Sequence, residues 1–123
     1  MKTILFVDDH QVLARLSCEI LKTHGYRAVS AYDGLDALHK FDHDEIDLVV
    51  TDYRMEGMNG AELAQRIHRR HPEVPVILVT GYTDIQYGKD VAACLQKEKL
   101  FPELLDKIKM FLGVTEPEEL KTA

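Results

Sequence analysis

Ile46-Asp47-Leu48-Val49-Val50-Thr51-Asp52 is the stretch that decides the fold. Leu48, Val49 and Val50 follow one another without the alternation of a half-wetted strand. A short continuous run of that kind is the signature of a strand covered on both faces. It stops at a carboxylate, Asp52. Two other stretches have the same design: Ile4-Leu5-Phe6-Val7 runs into Asp8-Asp9, and Val76-Ile77-Leu78-Val79 runs into Thr80-Gly81. Three buried strands, each ending abruptly in polar residues, are therefore expected.

Between these runs the spacing turns helical. Val12, Leu13, Leu16, Ile20 and Leu21 predict a first helix that stops at Gly25, and a weaker strand centres on Val29 within Tyr26–Ala31. Asp33-Gly34 punctuates the chain before Leu35, Leu38 and Phe41, the apolar positions of a second helix that fades into the polar stretch Asp42–Glu45. Asn59, with Glu62 three residues on, reads as a helix cap ahead of the stripe Leu63, Ala64 and Ile67. Pro72 and Pro75 bracket the turn into the fourth strand. Val91–Gln96 predicts a fifth strand, and Leu104, Leu105, Ile108, Phe111 and Leu112 predict a last helix closed by Gly113. From Tyr82 to Asp90 the pattern is poor and Gly88 interrupts it, so the helix between the fourth and fifth strands is expected to be short or irregular.

Strands and helices thus alternate about five times, which predicts an α/β fold with a five-stranded parallel sheet and helices on both faces. Residues 1–113 are expected to form one domain, with residues 114–123 a frayed tail. The length of 123 residues and an apolar content of 46% suit a single core. A net charge of -6 disfavours binding to a bare nucleic-acid backbone, and the apolar run Ile4–Val7 is too short for a signal peptide or membrane span. Cys18 and Cys94 form no metal-binding or disulfide pattern, which fits a cytoplasmic setting. His68 and His71 have helical spacing, but Arg69 and Arg70 lie between them and no third ligand is near in sequence; they read as a solvated face.

In a parallel sheet the carboxyl ends of the strands share one edge, where ligands bind. Asp8, Asp9, Asp52, Thr80 and Lys97 are all expected there. Singly, such residues cap helices or face solvent. Jointly, three carboxylates repel one another and are tolerable mainly around a cation, and hard oxygen ligands point to Mg²⁺. That ion leaves a coordination position for a phosphoryl oxygen. Thr80 adds a hydroxyl donor and Lys97 a mobile positive charge, which completes the parts of a phosphoryl-transfer site with Asp52 as nucleophile.

On Ile4–Asp9, Asp33-Gly34, Asp47–Asp52, Met55–Gly60, Val76–Thr80 and Lys97 the chain resembles the receiver domains of bacterial two-component response regulators, including the chemotaxis response regulator. The resemblance spans about residues 1–113 and implies the flavodoxin-like receiver fold. It implies Asp52 as phosphoacceptor, with Asp8, Asp9, Asp52 and the Arg54 carbonyl around Mg²⁺, and Thr80 and Lys97 on the phosphoryl oxygens. The implied donor is a histidine kinase or phosphotransfer protein; no nucleic acid or membrane is implied, and the output partner is not named. Such a domain catalyses only its own phosphorylation and dephosphorylation and is not otherwise an enzyme.

The chain departs from the family pattern at four places. Glu56 stands where Pro usually follows the Met, and Glu98 stands where a cis Pro usually follows the lysine. A cis bond before a non-proline residue costs about 3 kcal/mol, so Lys97 is expected either to sit on strained backbone or to approach differently, with Lys99 as a substitute. Cys94 replaces the aromatic residue that usually swings inward with the threonine, and the span from Thr80 to Lys97 is short. Phosphorylation with an altered readout is the expectation. Arg54 and Tyr82 occupy positions that flank the phosphoryl group in the family. The alternative is a pseudo-receiver acting by protein contact alone, which the Lys97 region favours and the acidic trio opposes. An Mg²⁺-dependent phosphatase would need an acid two residues past the nucleophile, where Arg54 stands.

Overall fold

Apolar strands with no wet face need cover on both sides. The computed structural model describes residues 1–82 and 85–113 and provides this cover with one sheet between two helical layers. The elements are β1 Thr3–Val7, α1 Gln11–Thr23, β2 Arg27–Ala31, α2 Gly34–His43, β3 Leu48–Asp52, α3 Gly60–Arg70, β4 Val76–Thr80, β5 Ala93–Gln96 and α4 Leu100–Leu112, with a 3₁₀ turn at Lys97–Lys99 before α4. All strand pairs are parallel, in the order β2-β1-β3-β4-β5. The predicted five-stranded parallel sheet is the observed one.

Strand alternation sorts the core into two layers. Leu5, Val7, Val49, Val76 and Leu78 face α2 and α3, where they meet Leu38, Phe41, Leu63 and Ile67. Ile4, Phe6, Leu48, Val50, Ile77, Val79 and Leu95 face α1 and α4, against Cys18, Leu21, Leu104 and Ile108. Burial of a side chain of this size contributes about 1.5–3 kcal/mol. The two layers together clamp the sheet and fix its register.

Three helices bury the same four-position stripe: Ala14, Ser17, Cys18 and Leu21 in α1, Gly34, Ala37, Leu38 and Phe41 in α2, and Gly60, Leu63, Ala64 and Ile67 in α3. The α3 stripe is the predicted one, and Asn59 caps it by accepting from the Glu62 N–H at 2.9 Å. The other two differ from expectation. Val12, Leu16 and Ile20 in α1 are 38–57% exposed and Leu35 in α2 is 71% exposed. Apolar residues lie on both sides of α1, and the sheet takes the side whose small Ala14, Ser17 and Cys18 let the helix approach closely.

The end of the sheet also needs correction. The fifth strand begins at Ala93 rather than Val91, because the Val91 N–H turns back to the Gly88 carbonyl at 3.2 Å. Among the described residues no helix lies between β4 and β5, which agrees with the expected short or irregular helix there, and α4 is the C-terminal helix. Gly113, at φ 79°, follows α4 as expected. The tail at residues 114–123 lies outside the described residues. No described helix is long and apolar enough to cross a membrane.

Candidate functional site

The strand order reverses between β1 and β3, because β2 lies on one side of β1 and β3 on the other. Crevices form beyond the carboxyl ends of strands at such a reversal. The register pairs Val7 with Thr51, Asp52 with Val79 and Thr80 with Gln96. Asp8, Asp52, Thr80 and Lys97, each at or just past the end of its strand, are therefore brought to one edge by the hydrogen-bonded ladder itself.

Asp8 and Asp52 are buried and Asp9 is exposed. One carboxylate oxygen from each lies within 4.8 Å of the other two. Asp8 is held from two directions: its own N–H donates to the Ala31 carbonyl at 3.0 Å, and its Oδ1 accepts from the His10 N–H at 2.9 Å. Burial is the largest influence on its carboxyl and pushes its pKa up; the His10 N–H opposes this, and the Asp52 charge adds to the rise. Three hard oxygen donors crowded at such spacing, one of them disfavoured as an anion, fit a hard divalent cation of the Mg²⁺ kind.

Lys97 reaches into this cluster. Its Nζ donates to Asp52 Oδ2 at 3.0 Å and lies 3.7 Å from Asp8 Oδ2. Burial alone would lower the lysine pKa, but the hydrogen bond and charge of Asp52, with a further contribution from Asp8, outweigh it and the net shift is upward. No cis bond precedes Glu98, so of the two expectations it is the changed approach of Lys97 that fits. Lys97 opens a 3₁₀ turn directly after β5, and the one cis peptide among the described residues is Phe101–Pro102. No substitute lysine is required.

Thr80 is buried, and its Oγ1 accepts from the Tyr82 N–H at 3.0 Å. That bond leaves the hydroxyl hydrogen free to be donated. The loop after Asp52 is pinned at both ends: the Tyr53 N–H donates to the Val79 carbonyl and the Gly60 N–H to the Tyr53 carbonyl, each at 2.8 Å. Within it Gly57 adopts φ 80°, Met55 is buried and Glu56 points outward as an exposed residue. Arg54 folds over the site's rim, with its guanidinium carbon 4.5 Å from the centre of the Tyr82 ring. Sequence reasoning placed both residues at the rim but did not foresee that they stack. The His68 and His71 pair forms no common site: His68 faces Asp90 at 3.6 Å and His71 faces Glu73 at 2.9 Å.

A family model described as the response regulator receiver domain matches residues 4–108. The chain is 36% identical over 126 residues to the sensor histidine kinase RcsC of Salmonella typhi, covering 97% of this chain but only 13% of that protein. It is 32% identical over 114 residues to sporulation initiation phosphotransferase F of Bacillus subtilis, covering 89% and 92% of the two chains. Among solved structures, the response regulator TrrA of Thermotoga maritima in complex with Mg²⁺-BeF superposes with a TM-score of 0.82 at 33% identity, over 90% of this chain and 99% of that one. TrrA has also been solved with the histidine kinase ThkA. With the matching parallel sheet, the acidic cluster at its edge and a family match over most of its length, this chain belongs to the response regulator receiver domain family.

Proposed function

We propose that the chain is a phosphoacceptor switch in two-component signalling, with residues 1–113 as the receiver domain, residues 114–123 as a tail, and the cytoplasm as its setting. The observation that carries this reading is the buried Asp52 carboxylate, with Asp8 and Asp9 beside it and Lys97 Nζ 3.0 Å away. An Asp52 carboxylate oxygen attacks the phosphorus of a phosphohistidine on a histidine kinase or phosphotransfer protein. The P–N bond breaks as the new P–O bond forms, and the imidazole leaves with the electron pair. Lys97 turns from Asp52 to the incoming phosphoryl oxygens, and the Thr80 hydroxyl donates to another of them. Asp8, Asp9, Asp52 and the Arg54 carbonyl would hold Mg²⁺, which when bound neutralises charge on the phosphoryl group. Water later attacks the acyl phosphate, returning the free Asp52 carboxylate and inorganic phosphate. The domain thereby catalyses only its own modification and turns over no external substrate.

Acetyl phosphate with Mg²⁺ tests the reading directly. One added phosphoryl group is expected, absent in Asp52→Asn. A chain that takes up none would be a pseudo-receiver, a reading made less attractive by the reach of Lys97 to Asp52.

The same reading gives the readout an unusual route. Cys94 is half-buried and packs against the layer that contains Leu78 and Val91, in the place of the family's mobile aromatic ring. A thiol has no ring to swing. Beryllofluoride is expected to shift resonances around Asp52, Thr80 and Lys97 but not to produce a conventional response spread across residues 82–110.

A further inference from the structure

We propose that His39 and His43 form a second metal site, a two-imidazole clamp for a borderline transition-metal cation such as Cu²⁺ or Ni²⁺, at the edge of the sheet opposite the phosphoacceptor. The two residues stand at i,i+4 on α2, the spacing that places side chains one above the other on a helix face. Both are exposed, and their ring centres are 4.2 Å apart with the planes inclined by 38°.

Three features of the surroundings make this more than a stacked pair. First, His43 Nδ1 lies 2.8 Å from the His39 carbonyl oxygen. An acceptor there requires Nδ1 to carry the proton, which leaves the Nε2 lone pair free; a backbone carbonyl bonded to the other ring nitrogen is the usual way a metal-binding histidine is oriented. Second, His43 is the last residue of α2, where unpaired carbonyls give the helix end a partial negative charge, and Asp42, Asp44 and Glu45 add exposed carboxylates around it. Third, the lysine between them on α2 is engaged elsewhere. Lys40 Nζ is held on the Ser30 carbonyl at 2.6 Å, with Asp36 at 3.4 Å.

The ring spacing is compatible with a shared ion. With metal–nitrogen bonds of about 2 Å and roughly 1 Å from nitrogen to ring centre, two imidazoles sharing an ion at a right angle have centres roughly 4.2 Å apart, against roughly 4.9 Å at a tetrahedral angle. The 4.2 Å between these exposed rings is within reach of either arrangement, and Cu²⁺ and Ni²⁺ are favoured because they bind nitrogen donors most tightly among the first-row divalent ions. Water completes the remaining positions. Because β3 starts just after α2 ends, the clamp lies at the amino ends of the strands and is separate from the Asp8, Asp9 and Asp52 cluster at their carboxyl ends.

The test titrates the full chain with Cu²⁺ and separately with Ni²⁺ in excess Mg²⁺, following heat and, for Cu²⁺, the nitrogen splitting of its electron paramagnetic resonance. One equivalent bound through two nitrogens is expected. His39→Ala and His43→Ala should each weaken it at least roughly tenfold, the loss of the second arm of a chelate, while Asp52→Asn leaves it unchanged. Ni²⁺ should raise the melting midpoint of the parent and not of either variant, because the ion bridges successive turns only in the folded helix. Circular dichroism shows whether the variants keep their helices. No bound ion in the parent, or an affinity unchanged in both single variants because other histidines hold it, overturns the proposal.

Discussion

Lys97 Nζ donates to Asp52 Oδ2 at 3.0 Å across 45 positions of sequence, and this bond is the main compensation for a carboxylate cluster that would otherwise oppose folding. The compensation is incomplete, since burial still pushes the Asp8 carboxyl upward. Asp8→Asn keeps an oxygen for the His10 N–H and removes one buried charge. The variant is expected to be more stable than the parent without Mg²⁺ by about 1 kcal/mol, in the ordinary range for such changes. Added Mg²⁺ should then raise the parent's melting midpoint by several degrees and leave that of Asp8→Asn nearly unmoved. Thermal melts of both proteins with and without the ion check this. A parent insensitive to Mg²⁺ would contradict the cluster's assignment as a cation site.

The acceptor loop depends on a close approach that only glycine allows. A Cβ at Gly60 would collide with the Asp52 carbonyl oxygen and lie 2.6 Å from Leu78 Cδ1 and 3.0 Å from Tyr53 Cα. Two of those three atoms are backbone and cannot turn aside. Gly60→Ala is therefore expected to destabilise by about 2–3 kcal/mol and to slow phosphoryl uptake, because the displaced backbone is that of Asp52. Gly34→Ala serves as the contrast. Its Cβ would meet only Met58, with the sulfur at 2.8 Å and Cβ at 2.9 Å, and the flexible thioether yields in part. Urea melts should rank Gly60→Ala well below Gly34→Ala.

The site was legible in the sequence where it is local and obscure where it depends on packing. Asp8, Asp9, Asp52 and Thr80 each follow an apolar run, so a parallel sheet brings them together once the runs are read as strands. Lys97 was legible as a site residue after the fifth strand, but its route was not, because a 3₁₀ turn leaves no apolar pattern and Glu98 removes the proline that usually marks the place. Periodicity found α1 and its buried Leu21 but mixed two faces: Val12, Leu16 and Ile20 are spaced like a core stripe, and only contact with the sheet reveals that Ala14, Ser17 and Cys18 are buried instead. The stacking of Arg54 on Tyr82 joins two loops that are 28 residues apart in number alone, with no shared pattern to link them.

That misread face has a use. Val12, Leu16 and Ile20 form an exposed apolar stripe on α1, which starts two residues after Asp9 at the edge of the site. A phosphohistidine donor must bring its imidazole to Asp52, and this stripe is the apolar surface beside its path. Leu16→Asp is expected to slow transfer from a histidine kinase or phosphotransfer donor by roughly tenfold or more, the loss of an apolar anchor. Uptake from acetyl phosphate should be unaffected, since that donor is too small to touch α1. Equal slowing with both donors would show damage to the site instead of to docking.

Arg54 and Tyr82 are proposed to govern how readily water reaches the acceptor. The guanidinium lies 4.5 Å from the ring centre, and such contacts contribute roughly 0.5–1 kcal/mol at exposed positions. The pair bridges the loop after β3 to the loop after β4. Arg54→Ala opens the rim, and the acyl phosphate is expected to hydrolyse several-fold faster. Following the decay of the phosphorylated protein after removal of donor measures this, and an unchanged lifetime would count against shielding.

Cys18 offers a probe of the core that is independent of the phosphoryl chemistry. It is 4% exposed, between α1 and the sheet, and burial pushes its thiol from 9.0 up to about 11. In the native protein at pH 8 it should resist iodoacetamide while the half-buried Cys94 reacts slowly, and urea should make both react. The pH dependence has a definite sign. Between pH 9 and about 11 the unfolded chain releases this proton and the folded chain keeps it, so the folded state binds more protons and stability falls as pH rises. A shift of about two units corresponds to roughly 2–3 kcal/mol, as an order of magnitude, fully present below pH 9 and lost by about pH 11. Cys18→Ala removes the titrating group, so its stability should fall less steeply than the parent's over that window. Parallel stability curves for the two proteins would mean that the thiolate is accommodated without cost, and that the α1 face of the core is wetter than the packing around Cys18 implies.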